Sequence, residues 1–476
     1  MSEIKDNIID HKNVCTEVVS KNLCIGCGIC AIVCPRENLK IEFNRFGEYN
    51  ALEIGNSCGE KCNLCLKVCP FFNNKDNEDT LGKKLFAETP GIKHTPETGY
   101  YIDSFVGYSN IKSHRENGAS GGLATWTLEK LLTDNLVDHV ACVSPNDNPE
   151  KLFKFKICNT PEEVRECSRS CYYPVETSEV IKHILSHKGR YGIIALPCMC
   201  KAVRLAMQLI PKLQRRVKFI LGLVCGQTKS KFFAEYVCAL GGGDPYSLNR
   251  ITFRIKDSNR PASDFGMKWA CRDRANRFSE GVVFWTEGMN RIWSDRYFTP
   301  KACNFCDDVF AELADVCFMD AWLPNYFRDS KGYNIVTVRN KELSNIFSRA
   351  ADNGAIERTY INIAEVIRSQ QGVLDAKRGD LLERRYLAEN EGQATPQKRF
   401  YLCKPRLSPV RKLLIKLTWK ISQESSNKWS ESGKSLQCFE EEFTSIVSKV
   451  EKLRYIDRYL QMPAAVFRKM RRVSFC

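Results

Sequence analysis

Two runs of four cysteines, each closed by a proline, lie within fifty residues of one another near the N-terminus. The first is Cys24, Cys27, Cys30 and Cys34 before Pro35, and the second is Cys58, Cys62, Cys65 and Cys69 before Pro70. Three thiolates in a short loop can bind three corners of a [4Fe–4S] cube, and the fourth cysteine of each run reaches the other cube. Zinc or disulfides are the alternatives, but eight cysteines with proline after each fourth one favour iron–sulfur.

This spacing assigns four thiols to each of two clusters in a small α+β ferredoxin domain. Cys24, Cys27, Cys30 and Cys69 are predicted to bind one cluster, and Cys34, Cys58, Cys62 and Cys65 the other. Gly26 and Gly28 keep the first loop free of side chains. The second run has three residues between Cys58 and Cys62 instead of two, so either Cys58 or a neighbour completes that cluster.

The composition favours a reducing compartment. The chain has 24 cysteines among 476 residues, a charged N-terminus and no apolar run long enough to span a bilayer, so we expect a cytoplasmic protein with cysteines as ligands or free thiols. The net charge of +15 is concentrated after Lys398, where 18 Lys and Arg face 7 Asp and Glu. This uneven distribution argues against a nucleic-acid partner.

The pattern of apolar runs predicts an α/β protein with a central sheet, since short β-branched runs alternate with helical ones. We expect a flexible lead-in (1–20), the ferredoxin domain (21–75), a linker (76–106), a central-sheet flavin domain (107–400) and a helical basic tail (401–476). The strand candidates are 138–143, 191–196, 217–224, 251–255, 315–319 and 334–339, and the helix candidates are 121–132, 178–187, 200–209 and 229–240.

A loop of small residues, Gly118-Ala119-Ser120-Gly121-Gly122, stands just before a predicted helix. Unpaired N–H groups and the positive end of the helix dipole suit a phosphate there, although a plain helix cap explains the loop equally well. Beside one-electron clusters, a flavin is the natural partner, because it exchanges a hydride for single electrons.

Four further cysteines could hold a third cluster. Cys198 and Cys225 follow two predicted strands, and Cys303 and Cys306 form a Cys-x-x-Cys pair, so all four could meet at the carboxyl edge of the sheet. The alternative is two core cysteines and an unrelated zinc-like pair. The remaining cysteines, including Cys142, Cys200, Cys238 and Cys317, are expected to be core thiols, although Cys200 could replace Cys198 as a cluster ligand.

An ordered set of motifs resembles the coenzyme F420 hydrogenase/dehydrogenase beta-subunit family, from about residue 20 to residue 380. The motifs are Gly107-Tyr-Ser-Asn, Gly118-Ala-Ser-Gly-Gly-Leu-Ala-Thr, Ala195-Leu-Pro-Cys, Gly222-Leu-Val-Cys and Cys303-x-x-Cys306 followed by Ala314-Asp-Val-Cys-Phe-Met-Asp-Ala-Trp. The resemblance implies FAD, with its phosphates at Ser120, Gly121 and Gly122, and a [4Fe–4S] cluster at Cys198, Cys225, Cys303 and Cys306. One departure is Ser170-Cys171-Tyr172, where relatives carry Ser-Lys-Tyr; Arg169 could replace the lysine.

The function expected from these features is an iron–sulfur flavoprotein oxidoreductase. Electrons would pass between a hydride donor or acceptor, either the deazaflavin coenzyme F420 or another organic molecule, and ferredoxin or a partner redox enzyme. Two alternatives are a ferredoxin-dependent reductase of a sugar intermediate in surface-polysaccharide synthesis and an electron-transfer subunit without a substrate site. The tail helices could contact an anionic membrane or pack on the body of the protein.

Overall fold

The structure is a computed structural model that describes residues 12–55, 58, 62–72, 76–399 and 407–460. Its strands are β1 (Leu39–Phe43), β2 (Tyr49–Glu53), β3 (Lys93–Thr95), β4 (Gly99–Tyr101), β5 (Asp103–Ser109), β6 (His139–Pro145), β7 (Phe153–Cys158), β8 (Tyr191–Ala195), β9 (Val217–Leu223), β10 (Leu248–Ile255), β11 (Gly266–Arg272), β12 (Phe278–Phe284), β13 (Val316–Asp320), β14 (Asn334–Val338) and β15 (Ile356–Tyr360).

The α-helices connect and cover these strands. They are α1 (Ile29–Val33), α2 (Leu64–Lys67), α3 (Glu78–Phe86), α4 (Lys112–Asn117), α5 (Leu123–Thr133), α6 (Pro161–Glu166), α7 (Ser178–Ser186), α8 (Pro197–Leu209), α9 (Pro211–Arg216), α10 (Phe232–Leu240), α11 (Asn290–Ser294), α12 (Lys341–Asp352), α13 (Ile363–Ser369), α14 (Gln371–Leu374), α15 (Leu381–Asn390), α16 (Pro409–Glu431) and α17 (Leu436–Leu460). Short helical turns also form at Cys15–Val19, Trp285–Met289, Lys301–Phe305 and Asp375–Gly379.

A mixed sheet of eight strands, in the order β15-β5-β14-β13-β9-β8-β6-β7, forms the centre of the molecule. The inner strands β6, β8, β9 and β13 run parallel, and antiparallel strands extend the sheet on both sides. The inner strands are apolar because helices cover both faces: Phe219 and Leu221 face α5 and α12, whereas Ile220 faces α7 and α8. The predicted α/β fold with a central sheet is therefore confirmed.

One predicted strand belongs elsewhere. Residues 251–255 lie in β10, which pairs with β11 and β12 in a separate antiparallel sheet and not in the central one. Helix α10 and the two tail helices pack against this second sheet around Phe233, Trp269 and Trp429. The alternation of strands and helices could not reveal this insertion, since an apolar run has the same appearance in either sheet.

The segment predicted as a linker, residues 76–106, is folded. Asn77 caps α3, which buries Leu81 and Phe86, a hairpin of β3 and β4 follows, and β5 already enters the central sheet at Asp103. The glycines and prolines that suggested a linker mark its turns instead. Within the predicted lead-in, residues 12–20 include a helical turn that buries Val14 and Val18, and residues 1–11 lie outside the described residues.

The tail helices α16 and α17 pack on the body of the protein through an apolar stripe. Trp419, Trp429 and Phe439 are buried, while Lys412, Lys416 and Lys420 are exposed. The predicted helices after residue 409 are thus observed, whereas residues 400–406 and the basic end at 461–476 lie outside the described residues. Among the described residues, no helix is both long and apolar enough to cross a membrane.

Candidate functional site

A cavity of about 500 Å³ opens where the parallel strands of the central sheet end. Cys198 follows β8, Cys225 follows β9, and Asp320 closes β13, and all three line this cavity. Because neighbouring parallel strands end at one edge, their following residues converge there. The glycine loop forms another part of the wall through Gly118, Ala119, Ser120 and Gly122.

The two cysteines of Cys198-Met-Cys200 point in different directions because they lie two residues apart in the first turn of α8. Cys198 faces the cavity. Cys200 is fully buried, and its thiol donates to the carbonyl oxygen of Ala195 at 3.6 Å. Cys200 therefore behaves as the core thiol that was expected, and Cys198 is the candidate ligand.

Cys198 and Cys225 line the cavity, and Cys303 and Cys306 lie close enough to Cys198 for their charges to affect its pKa. Burial raises the pKa of the Cys198 thiol, and the charges of neighbouring thiolates raise it further. In order of effect, these neighbours are Cys306, Cys225, Cys303 and Cys27. Burial likewise raises the pKa of Cys225 to about 12, although the nearby Lys377 ammonium opposes this shift. The four thiols are thus neighbours in the structure, as the hypothesis of a third cluster requires, and not two unrelated pairs.

Lys377 supplies positive charge to this group. It is almost fully buried and donates hydrogen bonds to the carbonyl oxygens of Cys225, at 3.0 Å, and Asp308, at 2.5 Å. Burial would lower the pKa of Lys377, but the charges of Cys306, Cys225 and Asp308 outweigh it and raise the pKa. A lysine that stays charged here would balance part of the negative charge of a thiolate-bound cluster.

The Cys303–Cys306 loop is held in place by the tail. Asn304, between the two cysteines, accepts a hydrogen bond from Arg296 Nε at 2.7 Å and donates one to Ser422 Oγ of α16 at 2.9 Å. Asn304 and Arg296 are buried, so these hydrogen bonds replace the ones that their polar groups would make to water in the unfolded chain. Composition alone gave no sign that a tail helix supports this loop.

We therefore expect Ser422→Ala to loosen the third cysteine group without unfolding the protein. Removing the hydroxyl leaves the buried Asn304 amide without this acceptor, and loss of such an outer contact weakens metal binding by about tenfold or more. Iron release to a chelator should accelerate for one third of the bound iron. Thr418→Ala is the matched control, because within the part of the chain that the structure describes the Thr418 hydroxyl donates to carbonyls of its own helix, at 3.0 and 3.2 Å, and not to the loop. Equal release rates in the two variants would show that α16 does not support the loop.

The structure places the eight N-terminal cysteines in two neighbouring groups. Burial raises the pKa of Cys30, and the charges of Cys27, Cys24, Cys69 and Cys65 add to the effect. Burial also raises the pKa of Cys58, followed by the charges of Cys62, Cys65, Glu53 and Cys34. The charge of Cys65 raises the pKa of both Cys30 and Cys58, so the two groups are neighbours. Cys27, in the first group, is near enough to Cys198 for its charge to raise the pKa of that thiol.

Backbone contacts seat the first cysteine loop on the body of the protein. Gly26 and Gly28 have φ angles of +66° and +86°, which side chains rarely tolerate. A Cβ on Gly28 would also lie 2.6 Å from the Glu176 carboxylate. Next to it, the carbonyl oxygen of Cys27 accepts hydrogen bonds from Thr177 Oγ1 at 2.6 Å and Thr177 N at 3.0 Å.

The glycine loop is shaped mainly by close backbone packing. A Cβ on Gly121 would lie 2.6 Å from the carbonyl oxygen of Gly107, and one on Gly118 would lie 2.6 Å from that of His114. The Ser120 hydroxyl donates to the carbonyl oxygen of Tyr333 at 2.5 Å. Gly121 is not among the residues lining the cavity, whereas the first turn of α5 is, through Ala124 and Thr125.

Arg254 is a site residue that sequence analysis missed. It is 2% exposed and donates through Nη2 to Asp320 Oδ1 at 2.7 Å and to the carbonyl oxygen of Ala119 at 3.1 Å. Its φ of +63° falls where the β10–β11 register is irregular between Thr252 and Ile255, so this irregularity turns Arg254 into the cavity. Among the described residues, nothing accepts a hydrogen bond from its Nε.

Two buried or partly buried lysines lie near Arg254, one behind the glycine loop and one in the cavity wall. Lys256 Nζ donates to the carbonyl oxygens of Arg115, Ser120 and Lys331, the last two at 2.6 Å, so it holds the glycine loop in place. Burial, then the charges of Arg254 and Arg115, lower the pKa of Lys256 to about 7. Lys229 is fully buried, lines the cavity and donates to the carbonyl oxygen of Tyr297 at 2.6 Å. Burial holds the pKa of Lys229 well below its usual range.

Two aspartates that flank β13 have different surroundings. Asp315 is buried and accepts hydrogen bonds from Arg204 Nη2 at 3.0 Å and Ile220 N at 2.7 Å, so it holds the sheet together. Asp320 faces the cavity and Arg254. The Ser170-Cys171-Tyr172 segment lines the same cavity together with Arg169, whose φ is +98°. Arg169 is thus near enough to supply charge where relatives were expected to have lysine.

Comparisons with known proteins match the elements that build this cavity. A "4Fe-4S binding domain" model matches residues 17–40. The chain is 21% identical over 374 residues to a coenzyme F420-dependent sulfite reductase of Methanocaldococcus jannaschii, with 75% of this chain and 49% of that protein covered. It is 20% identical over 216 residues to one subunit of the F(420)H(2) dehydrogenase of Methanosarcina mazei, with 44% of this chain and 55% of that protein covered. The chain therefore spans about half the length of the curated relatives it matches.

A solved structure and a family model add to these matches. One chain of the F420-reducing [NiFe] hydrogenase complex from Methanosarcina barkeri is 18% identical, with a TM-score of 0.47, 65% of this chain and 100% of that chain covered. The model of the coenzyme F420 hydrogenase/dehydrogenase beta subunit matches residues 104–182 with its N-terminal part and 188–363 with its C-terminal part. These two ranges take up more than half of the chain and contain the glycine loop, Cys198, Cys225 and the Cys303–Cys306 pair. By this match, the chain belongs to the coenzyme F420 hydrogenase/dehydrogenase beta-subunit family.

Proposed function

We propose that this chain is a flavin- and iron–sulfur-dependent oxidoreductase that passes electrons between a small hydride donor or acceptor and three [4Fe–4S] clusters. The observation that supports it most strongly is the cavity that Gly118, Ser120, Cys198, Cys225 and Cys24 line together. An organic redox group in this cavity would lie against both the third cysteine group and the first cluster of the ferredoxin domain.

The residues around the cavity fit FAD. The first turn of α5 offers backbone N–H groups to a diphosphate, although the N–H of Leu123 already donates to Asn334 Oδ1 at 3.0 Å. Arg254 Nε is buried without an acceptor, and a phosphate or flavin oxygen would supply one. Trp285, Trp293 and Tyr172 give the cavity aromatic walls. Bound FAD would exchange a hydride on one side for single electrons on the other.

The chain's own residues would act by position and charge. Arg254 would bind and orient an anionic part of the flavin, Lys256 would hold the glycine loop in place through its carbonyl oxygens, and Asp320 would keep the Arg254 guanidinium directed at the cavity. Lys229 would place a buried amine beside a molecule in the cavity, where it already donates to the carbonyl oxygen of Tyr297 and to Thr299 Oγ1, and burial holds its pKa well below the usual range. The thiols of Cys198, Cys225, Cys303 and Cys306 would hold the cluster nearest the flavin.

We infer that Cys198, Cys225, Cys303 and Cys306 would hold the cluster nearest the cavity, the group of Cys24, Cys27, Cys30 and Cys69 the next, and the group of Cys34, Cys58, Cys62 and Cys65 the outermost, where bound clusters would carry single electrons. The thiol neighbourhoods support this order, since Cys198 lies near Cys27, and Cys30 lies near Cys65. Ferredoxin or a partner redox enzyme would meet the outer cluster. Both curated relatives carry F420 in their names, so the reduced deazaflavin is the first donor to test.

Single cysteine changes in the ferredoxin domain should separate its clusters from the flavin. Cys27→Ala and Cys65→Ala are each expected to remove about four iron atoms, because each thiol holds one four-iron cluster. FAD content should stay unchanged in Cys65→Ala, whose cluster lies away from the cavity. Iron and flavin analysis of anaerobically purified protein measures both. Loss of about eight iron atoms from either variant would contradict the prediction that the two clusters bind independently of each other.

Reduction by F420H2 tests the donor. Anaerobic protein with full flavin and iron should oxidise F420H2 and pass the electrons to the clusters, seen as loss of cluster absorbance. An inert protein with full cofactors would redirect the search to other organic substrates. Stable copurification with a larger enzyme, together with no reduction by any free donor, would favour an electron-transfer subunit without its own substrate site.

A further inference from the structure

Three cysteines outside the cluster sites meet at one end of the central sheet. Cys142 lies in β6, Cys158 ends β7, and Cys167 follows α6. The antiparallel register pairs Cys142 with Lys156 and Cys158 with Val140, so the two cysteines are diagonal neighbours on one face of the sheet. The turn after α6 brings Cys167 to the same point. The sequence analysis had assigned Cys142 to the core.

The spacing of the three sulfur atoms fits one tetrahedral metal ion. The Sγ atoms of Cys142 and Cys158 are 3.5 Å apart, those of Cys158 and Cys167 are 3.7 Å apart, and all three lie within 4.8 Å of one another. Zinc–thiolate bonds of about 2.3 Å in tetrahedral geometry place sulfur atoms about 3.8 Å apart. The corners of a four-iron cube hold their thiolates further apart, because an iron–iron edge separates them.

The close approach of these three thiols distinguishes them from the other cysteines of the chain. Among the described residues, Cys142, Cys158 and Cys167 form the group in which three potential metal ligands lie within 4.8 Å of one another. Cys238 and Cys271 also approach closely, with 3.2 Å between their Sγ atoms, but they form only a pair. That pair is fully buried between α10 and the second sheet, which makes it a useful comparison.

The fourth side of the three-thiol group opens to the cavity. Cys142 and Cys167 are both among the residues lining it, while Cys158 is fully buried behind them. A metal ion held by three protein ligands with its remaining position towards a cavity is the arrangement of catalytic zinc sites, in which water or substrate completes the tetrahedron. Three thiolates favour a soft or borderline ion over magnesium or calcium.

We propose that Cys142, Cys158 and Cys167 bind one Zn²⁺ ion as three thiolates, with a fourth position that takes water or an oxygen atom of a molecule in the cavity. The ion would bind and polarise a hydroxyl or carbonyl group of that molecule. The site uses none of the cysteines assigned to the clusters, and its metal does not depend on the presence of flavin.

Metal analysis of anaerobically purified, zinc-supplemented full-length protein tests the proposal. We expect about one zinc per chain in addition to the cluster iron, and X-ray absorption at the zinc edge should show three sulfur atoms at about 2.3 Å and one oxygen or nitrogen. Cys167→Ser, the least buried of the three positions, should lose zinc and keep its iron. Cys238→Ser is the matched control and should keep both metals.

Several outcomes would overturn the proposal. They are protein with full iron and no zinc, zinc in a four-sulfur environment that Cys167→Ser leaves unchanged, and a Cys142–Cys158 disulfide found by mass spectrometry of anaerobic protein. The four-sulfur result would mean that zinc occupies a cluster site. Should Cys167→Ser fail to fold, the number of sulfur atoms bound to zinc in the unchanged protein still decides between these results.

Discussion

Cys198→Ser is expected to remove the third cluster and to slow electron transfer from the cavity to the ferredoxin domain. Iron should fall from about twelve atoms per chain to about eight, because one four-iron site loses a ligand. Reduction of the remaining clusters by a hydride donor should slow, because the proposed first electron acceptor is lost and only the wall near Cys24 still joins the cavity to the intact N-terminal clusters. Iron analysis and anaerobic stopped-flow absorbance measure the two effects.

The control for this change lies two residues away. Cys200→Ser alters a thiol that is fully buried and contacts the carbonyl oxygen of Ala195, away from the cavity. Its iron content and reduction rate should match those of the unchanged protein. Equal iron content in both variants would mean that Cys198 is not a ligand, and iron loss in Cys200→Ser alone would identify Cys200 as the ligand instead.

Arg254→Met is expected to weaken FAD binding by about 10- to 150-fold. Hydrogen bonds to charged groups contribute about 1.5–3 kcal/mol, and each 1.4 kcal/mol changes a dissociation constant about tenfold. The change removes the buried guanidinium and leaves the Asp320 carboxylate facing the cavity without its 2.7 Å partner. Fluorescence titration of deflavinated protein with FAD measures the constant, and the iron content reports whether the clusters survive.

Arg250→Met is the matched control, because Arg250 lies on the same strand but is exposed to solvent. It should leave FAD affinity unchanged. Arg254→Lys distinguishes the effect of charge from that of geometry, because lysine keeps the positive charge but lacks the planar guanidinium. Its FAD affinity should fall between those of the unchanged protein and Arg254→Met. Arg254→Met with full flavin affinity would show that the flavin does not use this residue.

Regular features of the fold could be predicted from the sequence. The runs at β8 and β9 are continuously apolar because helices cover both faces of the sheet, and such runs are readable without a structure. The edge strand β15 was missed, since its exposed residues Glu357, Thr359 and Tyr360 give it no apolar run. The separate sheet of β10–β12 was not predicted, because the local sequence of a strand does not reveal which strands it pairs with.

The candidate site was predictable where spacing carries the information. Cysteine spacing predicted the two N-terminal groups, and Cys198 and Cys225 were found because strand ends converge. The position of Arg254 in the site could not be predicted, because it depends on an irregularity in the β10–β11 pairing and on Asp320, 66 positions away in the chain. Cys142, Cys158 and Cys167 were missed because they come from two strands and a helix end with no repeated interval.

The cofactor content of the anaerobically purified protein tests the central claim most directly. Two four-cysteine groups beside the cavity, with a third group next to the first of them, predict about twelve iron atoms and one FAD per chain, with the cluster nearest the flavin and the flavin lost together on mild oxidation. About eight iron atoms, together with rapid alkylation of Cys225 and Cys303 in the native protein, would contradict the account, since those thiols would then hold no cluster.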